Sequence, residues 1–303
     1  MMTIVKHRKI FFIGSLFLVV ASLMAIFGYG LNLGSDFVGG VAIEIEYAGE
    51  RPTLANLREA VSEFGLPGLV LQPSGENGLL LKIKTLTETE KEQVMTKLAL
   101  AGEAPFTEDR FSEVGPTLGK ELSRKGLIAI TLVVILIILY IAFVFRQVTA
   151  HHMSSWKYGL VAIVALAHDV IISTGAMALL AHFTGAETDA LFLTALLTIL
   201  GLSINDTIVV FDRIRENLNR HSSNDFAEVV GRSLKETYIR SINTTLAIVI
   251  TLVCLLIFGP ESTRHFAIIL LVGMTIGTYS SIFVAANLLV EWEARQRARL
   301  SVR

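Results

Sequence analysis

Six apolar windows constrain what this chain can fold into: 10–29, 126–145, 158–181, 190–211, 241–259 and 266–290. About 20 apolar residues in a helix cross a hydrocarbon layer. A helix is also one of the few forms that satisfy their own backbone polar groups there. Of 26 basic and 27 acidic residues, only Asp169 and Asp206 fall inside the windows. One soluble core would not segregate charge in this way. The sequence therefore predicts a membrane α-helical protein with six transmembrane helices. A net charge of −1 points away from nucleic acid as a partner.

The first window reads as a retained anchor. Lys6, Arg8 and Lys9 precede Ile10–Tyr29, as in a signal peptide, but the apolar run exceeds the usual length of about 7–15 residues and lacks a small-x-small cleavage site. Orientation follows from Lys and Arg in the connectors. With the N-terminus inside, fifteen basic residues lie on the cytoplasmic side and only Arg264 lies in the short outer loops. This places both termini on the cytoplasmic side of the membrane. The single cysteine, Cys254, lies within a span and reads as a small apolar packing group.

Residues 31–125 are too long for a loop and predict a periplasmic domain. Val41, Ile43, Ile45 and Tyr47 alternate with Ala42, Glu44 and Glu46, the period of a half-buried strand. Thr53 then caps a helix with the apolar stripe Leu54, Leu57, Val61 and Phe64. Leu69–Gln72 and Leu79–Lys84 read as strands joined by a turn over 73–78. Thr87 with Glu90 forms a capping box for a helix reaching about Ala101, and an extended piece over 105–114 ends at Gly115-Pro116. The order βαββαβ predicts an α+β ferredoxin-like domain between the first and second spans.

The division expected is thus 1–30 (N-terminus and first span), 31–125 (periplasmic domain), 126–290 (five-helix block) and 291–303 (basic cytoplasmic tail). Within the block, 212–240 reads as a cytoplasmic linker holding a helix capped by Asp225 and Glu228. Phe226, Val229, Val230, Leu234 and Tyr238 give that helix an apolar face, suited to a membrane surface, a partner or its own bundle.

Ionised side chains at membrane depth cost about 2.5–3.5 kcal/mol on insertion scales and tend to mark ion or proton pathways. Asp169 follows His168 in the third window, with Ser173 and Thr174 one turn on. The fourth window carries Ser203, Asn205, Asp206 and Thr207, and the fifth begins just after Arg240. Helical spacing puts Ser203, Asp206 and Thr207 on one face. Asp206 and Arg240 fall in the same half of the membrane on successive spans. A carboxyl there, flanked by hydroxyls and a permanent cation, suits a proton relay. It equally suits a buried bridge that only orients helices, and His168-Asp169 suits helix–helix hydrogen bonding. An aspartyl-protease dyad is disfavoured, because no Gly-x-Gly-Asp signature is present. Gly273 and Gly277 form a GxxxG pair that admits a close neighbouring helix.

These residues also carry a family resemblance. Leu33–Gly40 resembles the LGxDFxGG motif of the SecD/SecF family, through Gly34, Asp36, Phe37, Gly39 and Gly40. Val114-Gly115-Pro116, His168-Asp169-Val170 and the run Ser203–Asn217, with Asn205, Asp206 and Thr207, are similar to further motifs of its SecF branch. Ser35 and Leu202 depart from that pattern without removing an ionisable group. The resemblance spans essentially the whole chain. It implies a subunit that pairs with SecD, joins the SecYEG channel and often YajC, and uses the proton motive force to assist export of unfolded preprotein. It implies no enzymatic activity and no cofactor, protons being the coupling ion. It assigns Asp206 and Arg240 to the proton path, with Asp169 as a further candidate. A passive scaffold subunit, and an exporter of small molecules or lipids from the same superfamily, are the alternatives.

Overall fold

A computed structural model describes residues 2–66, 69–83, 86–144, 155–220 and 225–301. In chain order the elements are α1 (Met2–Lys6), α2 (Arg8–Tyr29), α3 (Ser35–Val38), β1 (Gly40–Tyr47), α4 (Leu54–Ser62), β2 (Val70–Ser74), β3 (Gly78–Ile83), α5 (Glu88–Leu98), β4 (Phe106–Val114), α6 (Pro116–Val144), α7 (Ser155–Thr184), α8 (Ala190–Arg220), α9 (Phe226–Phe258), α10 (Arg264–Tyr279) and α11 (Ala286–Ser301). Between α10 and α11 the helix widens into a π-helical turn, Ser280–Ala285. The chain divides into a helical unit and an α/β unit.

In the α/β unit the sheet order is β2-β3-β1-β4, and every neighbouring pair is antiparallel. With βαββαβ connectivity this is the ferredoxin-like arrangement. Ile43 stands opposite Leu81 on one side and Phe111 on the other. Val41, Ile43, Ile45 and Tyr47 are buried against Leu57 and Val61 of α4 and Val94 and Leu98 of α5. The alternation of β1 thus becomes a core face, each large side chain contributing about 1.5–3 kcal/mol. Asn56 N donates to Thr53 Oγ1 (3.4 Å), and the Thr87–Glu90 capping box forms in both directions. The hairpin is tighter than the 73–78 turn expected: β2 extends through Ser74, which pairs with Gly78. Gly75 takes φ +60° in the loop between them.

The helical unit contains six helices long and apolar enough to cross a membrane among the described residues: Arg8–Tyr29, Thr117–Ile141, Trp156–Thr184, Ala190–Arg220, Phe226–Phe258 and Arg264–Arg299. They form an inner and an outer set. The third, fourth and sixth are 56, 50 and 61% buried; the first, second and fifth are 11, 11 and 17% buried. Small residues set the close approaches. A Cβ on Gly175 of α7 would lie 2.6 Å from Ser22 Cα of α2. Both members of the GxxxG pair face α8: a Cβ on Gly277 would meet Ser203 Cβ at 2.9 Å, and one on Gly273 would strike Ile199.

Several boundaries differ from the sequence reading. The second span begins its helix at Pro116, ten residues before the apolar window; proline suits the first helical turn, where its missing N–H costs nothing. In segment 212–240 the described residues are helical apart from Asp225. α8 runs on to Arg220 and α9 is one helix from Phe226, at about 1.5 Å per residue longer than a bilayer core requires. The apolar face Phe226, Val229, Val230 and Leu234 is buried with Val210, Phe211, Ile214 and Leu218 of α8. Of the three destinations considered, it takes its own bundle. The Asp225–Glu228 capping box is absent: Asp225 makes no side-chain cap and instead accepts from Arg297 Nη1 at 3.3 Å. Cys254 is exposed on α9 rather than packed inside.

Candidate functional site

The two intramembrane carboxyls both sit on the inner helices, and the sixth span supplies hydroxyls to both. Asp169, on α7, is fully buried. Its Oδ2 accepts from Ser203 Oγ of α8 (2.5 Å) and from Ser280 Oγ at the start of the π turn (2.9 Å). Its Oδ1 lies 2.9 Å from His168 Nδ1. Ser173 Oγ donates to the Asp169 carbonyl (2.8 Å), adding a hydroxyl to the same turn. One carboxyl therefore ties three helices together. His168 is buried too, and among the described residues its Nε2 has no hydrogen-bond partner.

Asp206 lies one turn further along α8 than Ser203 and is 7% exposed. Its Oδ2 accepts from Thr278 Oγ1 at 3.0 Å. The Thr278 hydroxyl is in turn hydrogen-bonded to that of Thr245 on α9. Next to Asp206, Thr207 Oγ1 bonds Ser281 Oγ (2.8 Å) and donates to the Ser203 carbonyl (3.2 Å). The hydroxyls of Ser280 and Ser281 also reach the Gly277 carbonyl, at 3.0 and 2.9 Å. The π turn widens the helix where these side chains must crowd, a feature frequent at functional sites. Because Gly277 has no side chain, α10 can come close enough to Ser203 for them to do so.

The predicted residues are not all gathered. Asp169, Asp206 and Thr207 join the cluster, whereas Asn205 is exposed. Arg240 is also exposed; its charge acts on the Asp206 carboxyl, but no ion pair within 4.0 Å joins them among the described residues. Thr245, Thr278, Ser280 and Ser281 were missed as candidates. The run Thr278-Tyr279-Ser280-Ser281, polar inside an apolar window and next to the GxxxG pair, was the available signal.

Residues 34–40 form a separate constellation in the α/β unit. Gly34 N donates to Thr188 O (2.8 Å) and Thr188 N to Asn32 O (2.7 Å), a short parallel bridge to the loop before α8. Asp36 Oδ2 accepts from Ala190 N at 3.0 Å, one of the first-turn amides of α8 that lack an intrahelical partner. Lys82 Nζ pairs with Glu187 at 2.6 Å beside it. Gly39 has φ +82°, and a Cβ on Gly40 (φ +146°) would lie 2.9 Å from Ile83 O. Phe37 is half-buried, its carbonyl 2.9 Å from where a Cβ on Gly119 of α6 would stand.

The family described as "Protein export membrane protein SecD/SecF, C-terminal" matches residues 93–295. The chain is 37% identical over 312 residues to the protein translocase subunit SecF of Thermobaculum terrenum, covering 99% of this chain and 96% of that one. It is 35% identical over 294 residues to the protein translocase subunit SecDF of Bacillus subtilis, covering 96% of this chain and 38% of that one. A crystal structure of SecDF from Thermus thermophilus, described as a translocon-associated membrane protein, superposes with a TM-score of 0.83 at 33% identity. This chain spans 38% of that protein's length. SecDF in a super-membrane-facing form gives 0.68 at 34% identity.

Proposed function

The chain belongs to the SecD/SecF family as a SecF-type protein translocase subunit, and from that premise we propose that it works with a SecD partner to turn the proton motive force into export of unfolded polypeptide. Protein transport by the Sec pathway follows from the family. Proton coupling, the SecD pairing, the SecYEG and YajC contacts and the inside location of both termini are parts of the proposal. The SecD pairing is supported by SecDF relatives, in which a SecF-like part occupies only a fraction of one longer chain.

The observation that carries the reading is the pair of buried carboxyls on the inner helices, each accepting from a hydroxyl of the sixth span. Among the described residues Asp206 accepts a single hydrogen bond from a side-chain hydroxyl, and it retains slight exposure, so a proton can be added or removed without dismantling its surroundings. Arg240 is near enough to sense the change as charge. Protonating Asp206 weakens that attraction, α8 and α9 adjust about the Thr278–Thr245 contact, and the adjustment is passed to the SecD partner. Asp169, held by Ser203, Ser280 and His168, serves as the pin about which the inner helices keep register.

The scaffold reading is favoured by one observation, the missing direct bridge between Asp206 and Arg240. Proton flux into liposomes holding the purified complex separates the two. Relay predicts flux that disappears with Asp206→Asn, whereas a scaffold conducts equally little with either residue.

A further inference from the structure

A cavity of about 620 Å³ opens at the end of the helical unit where α2 begins, α7 begins and α11 continues from the sixth span. Its walls include Phe12, Leu288 and Trp292, and its rim carries Lys9, Lys157, Arg295 and Arg299. One carboxylate, Glu291, also lines it, but that group is already taken by Arg8 Nε and Arg295 Nε, each at 3.0 Å. Among the described residues Lys9, Lys157 and Arg299 form no ion pair. Lys157 is held by a hydrogen bond to Gln296, and its Nζ lies 5.8 Å from the Trp292 ring centre and 6.0 Å from that of Trp156. The two indoles pack edge to face at 5.4 Å.

The level of these residues in the chain is informative. Lys9 immediately precedes the first apolar window, Lys157 immediately precedes the third, and Trp292 and Arg295 follow the end of the sixth. All stand where hydrocarbon gives way to water, the level at which Trp and Lys anchor membrane proteins. Phe12 and Leu288 lie about a turn further in, at acyl-chain depth. We propose that this cavity binds an anionic phospholipid of the cytoplasmic leaflet. The phosphate meets Lys9, Lys157 and Arg299, and the upper acyl chain lies on Phe12 and Leu288. Basic pockets between spans on this side are suited to anionic headgroups. Bound there, the lipid clips α2 and α7 to α11, the helix that continues directly from the π turn.

The test uses the full chain in nanodiscs of phosphatidylcholine doped with phosphatidylglycerol, released for native mass spectrometry. Phosphatidylglycerol is expected to be retained in preference to phosphatidylcholine. Lys157→Gln with Arg299→Gln is expected to lower its occupancy about 25-fold, or about fivefold per cation. Lys120→Gln with Lys125→Gln, far from the cavity in sequence, leaves it unchanged. Should the first pair unfold the protein, Arg299→Gln alone carries the test, because that residue sits on an exposed last turn of α11. Equal retention of both lipids, or occupancy unchanged by Arg299→Gln, overturns the proposal. So does displacement of phosphatidylglycerol by added inorganic phosphate, which would make the cavity a site for a free anion.

Discussion

Replacing Asp206 by Asn keeps the shape of the side chain and removes its ability to ionise. Its Oδ1 can still accept from Thr278, now 3.0 Å from the carboxyl. The loss of fold stability is therefore small, about 1 kcal/mol or less, and the complex should assemble. The functional loss should be large. Asp206 lies sixteen residues along α8 from Ala190, about 24 Å at 1.5 Å per residue. A proton arriving from that end crosses about four-fifths of a ~30 Å hydrocarbon layer. At about 2.3 kcal/mol per charge per 100 mV, this yields about 1.8 kcal/mol, enough to bias a two-state equilibrium about twentyfold. Export of a preprotein into membrane vesicles, measured with and without an ionophore, reads that bias directly. The unaltered protein should show gradient stimulation of up to about that size, and the Asn variant none. Gradient-stimulated export persisting in an assembled Asn variant refutes the reasoning.

Further outcomes are expected. Gly277→Val places a branched side chain where a Cβ would already stand 2.9 Å from Ser203. It should cost about 1–3 kcal/mol in thermal or denaturant unfolding, and an unchanged midpoint contradicts the close packing of α10 on α8. Asp36→Ala removes Asp36 Oδ2 as an acceptor for Ala190 N; a loss of about 0.5–2 kcal/mol should speed hydrogen exchange at that amide about tenfold, and unaltered exchange means the contact is idle. The Glu90 carboxyl is held below its ordinary range by the Thr87 backbone N–H and then by the Thr87 hydroxyl. Its contribution to capping α5 is therefore full above about pH 4.3 and is lost as pH falls through the lower folded value. Protection of the first-turn amides of α5, relative to the unstructured exchange rate at the same pH, should fall over that acid window, and Glu90→Ala should abolish this pH dependence.

The positions on which both proposals rest were foretold unevenly by sequence patterns. Periodicity was enough for the α/β unit. The alternation from Val41 to Tyr47 and the stripe Leu57–Val61 could be buried in only one way, and the βαββαβ order followed. The apolar windows likewise located six spans, because hydrocarbon excludes charge whatever the tertiary fold. Helix ends were less legible. Nothing in 212–240 distinguishes a polar linker from a helix that outruns the bilayer, since the helical period continues through both. Asp225 had the sequence of a cap, yet Arg297, 72 residues away, offered it a charged partner instead.

The sequence alone determined that the chain crosses a membrane, where two carboxyls are stranded within it, and which motif surrounds each. Those properties are local: the cost of a charge in lipid and the period of a helix can be read within a few turns. Only the tertiary structure decided that Asp169 joins Ser203 and Ser280, that Asp206 meets Thr278, and that Asn205 and Arg240 stay at the surface. Which face of one helix meets which face of another depends on where glycines permit approach and where hydroxyls find acceptors. That match is made between residues far apart in the chain, so no single stretch of it records the outcome.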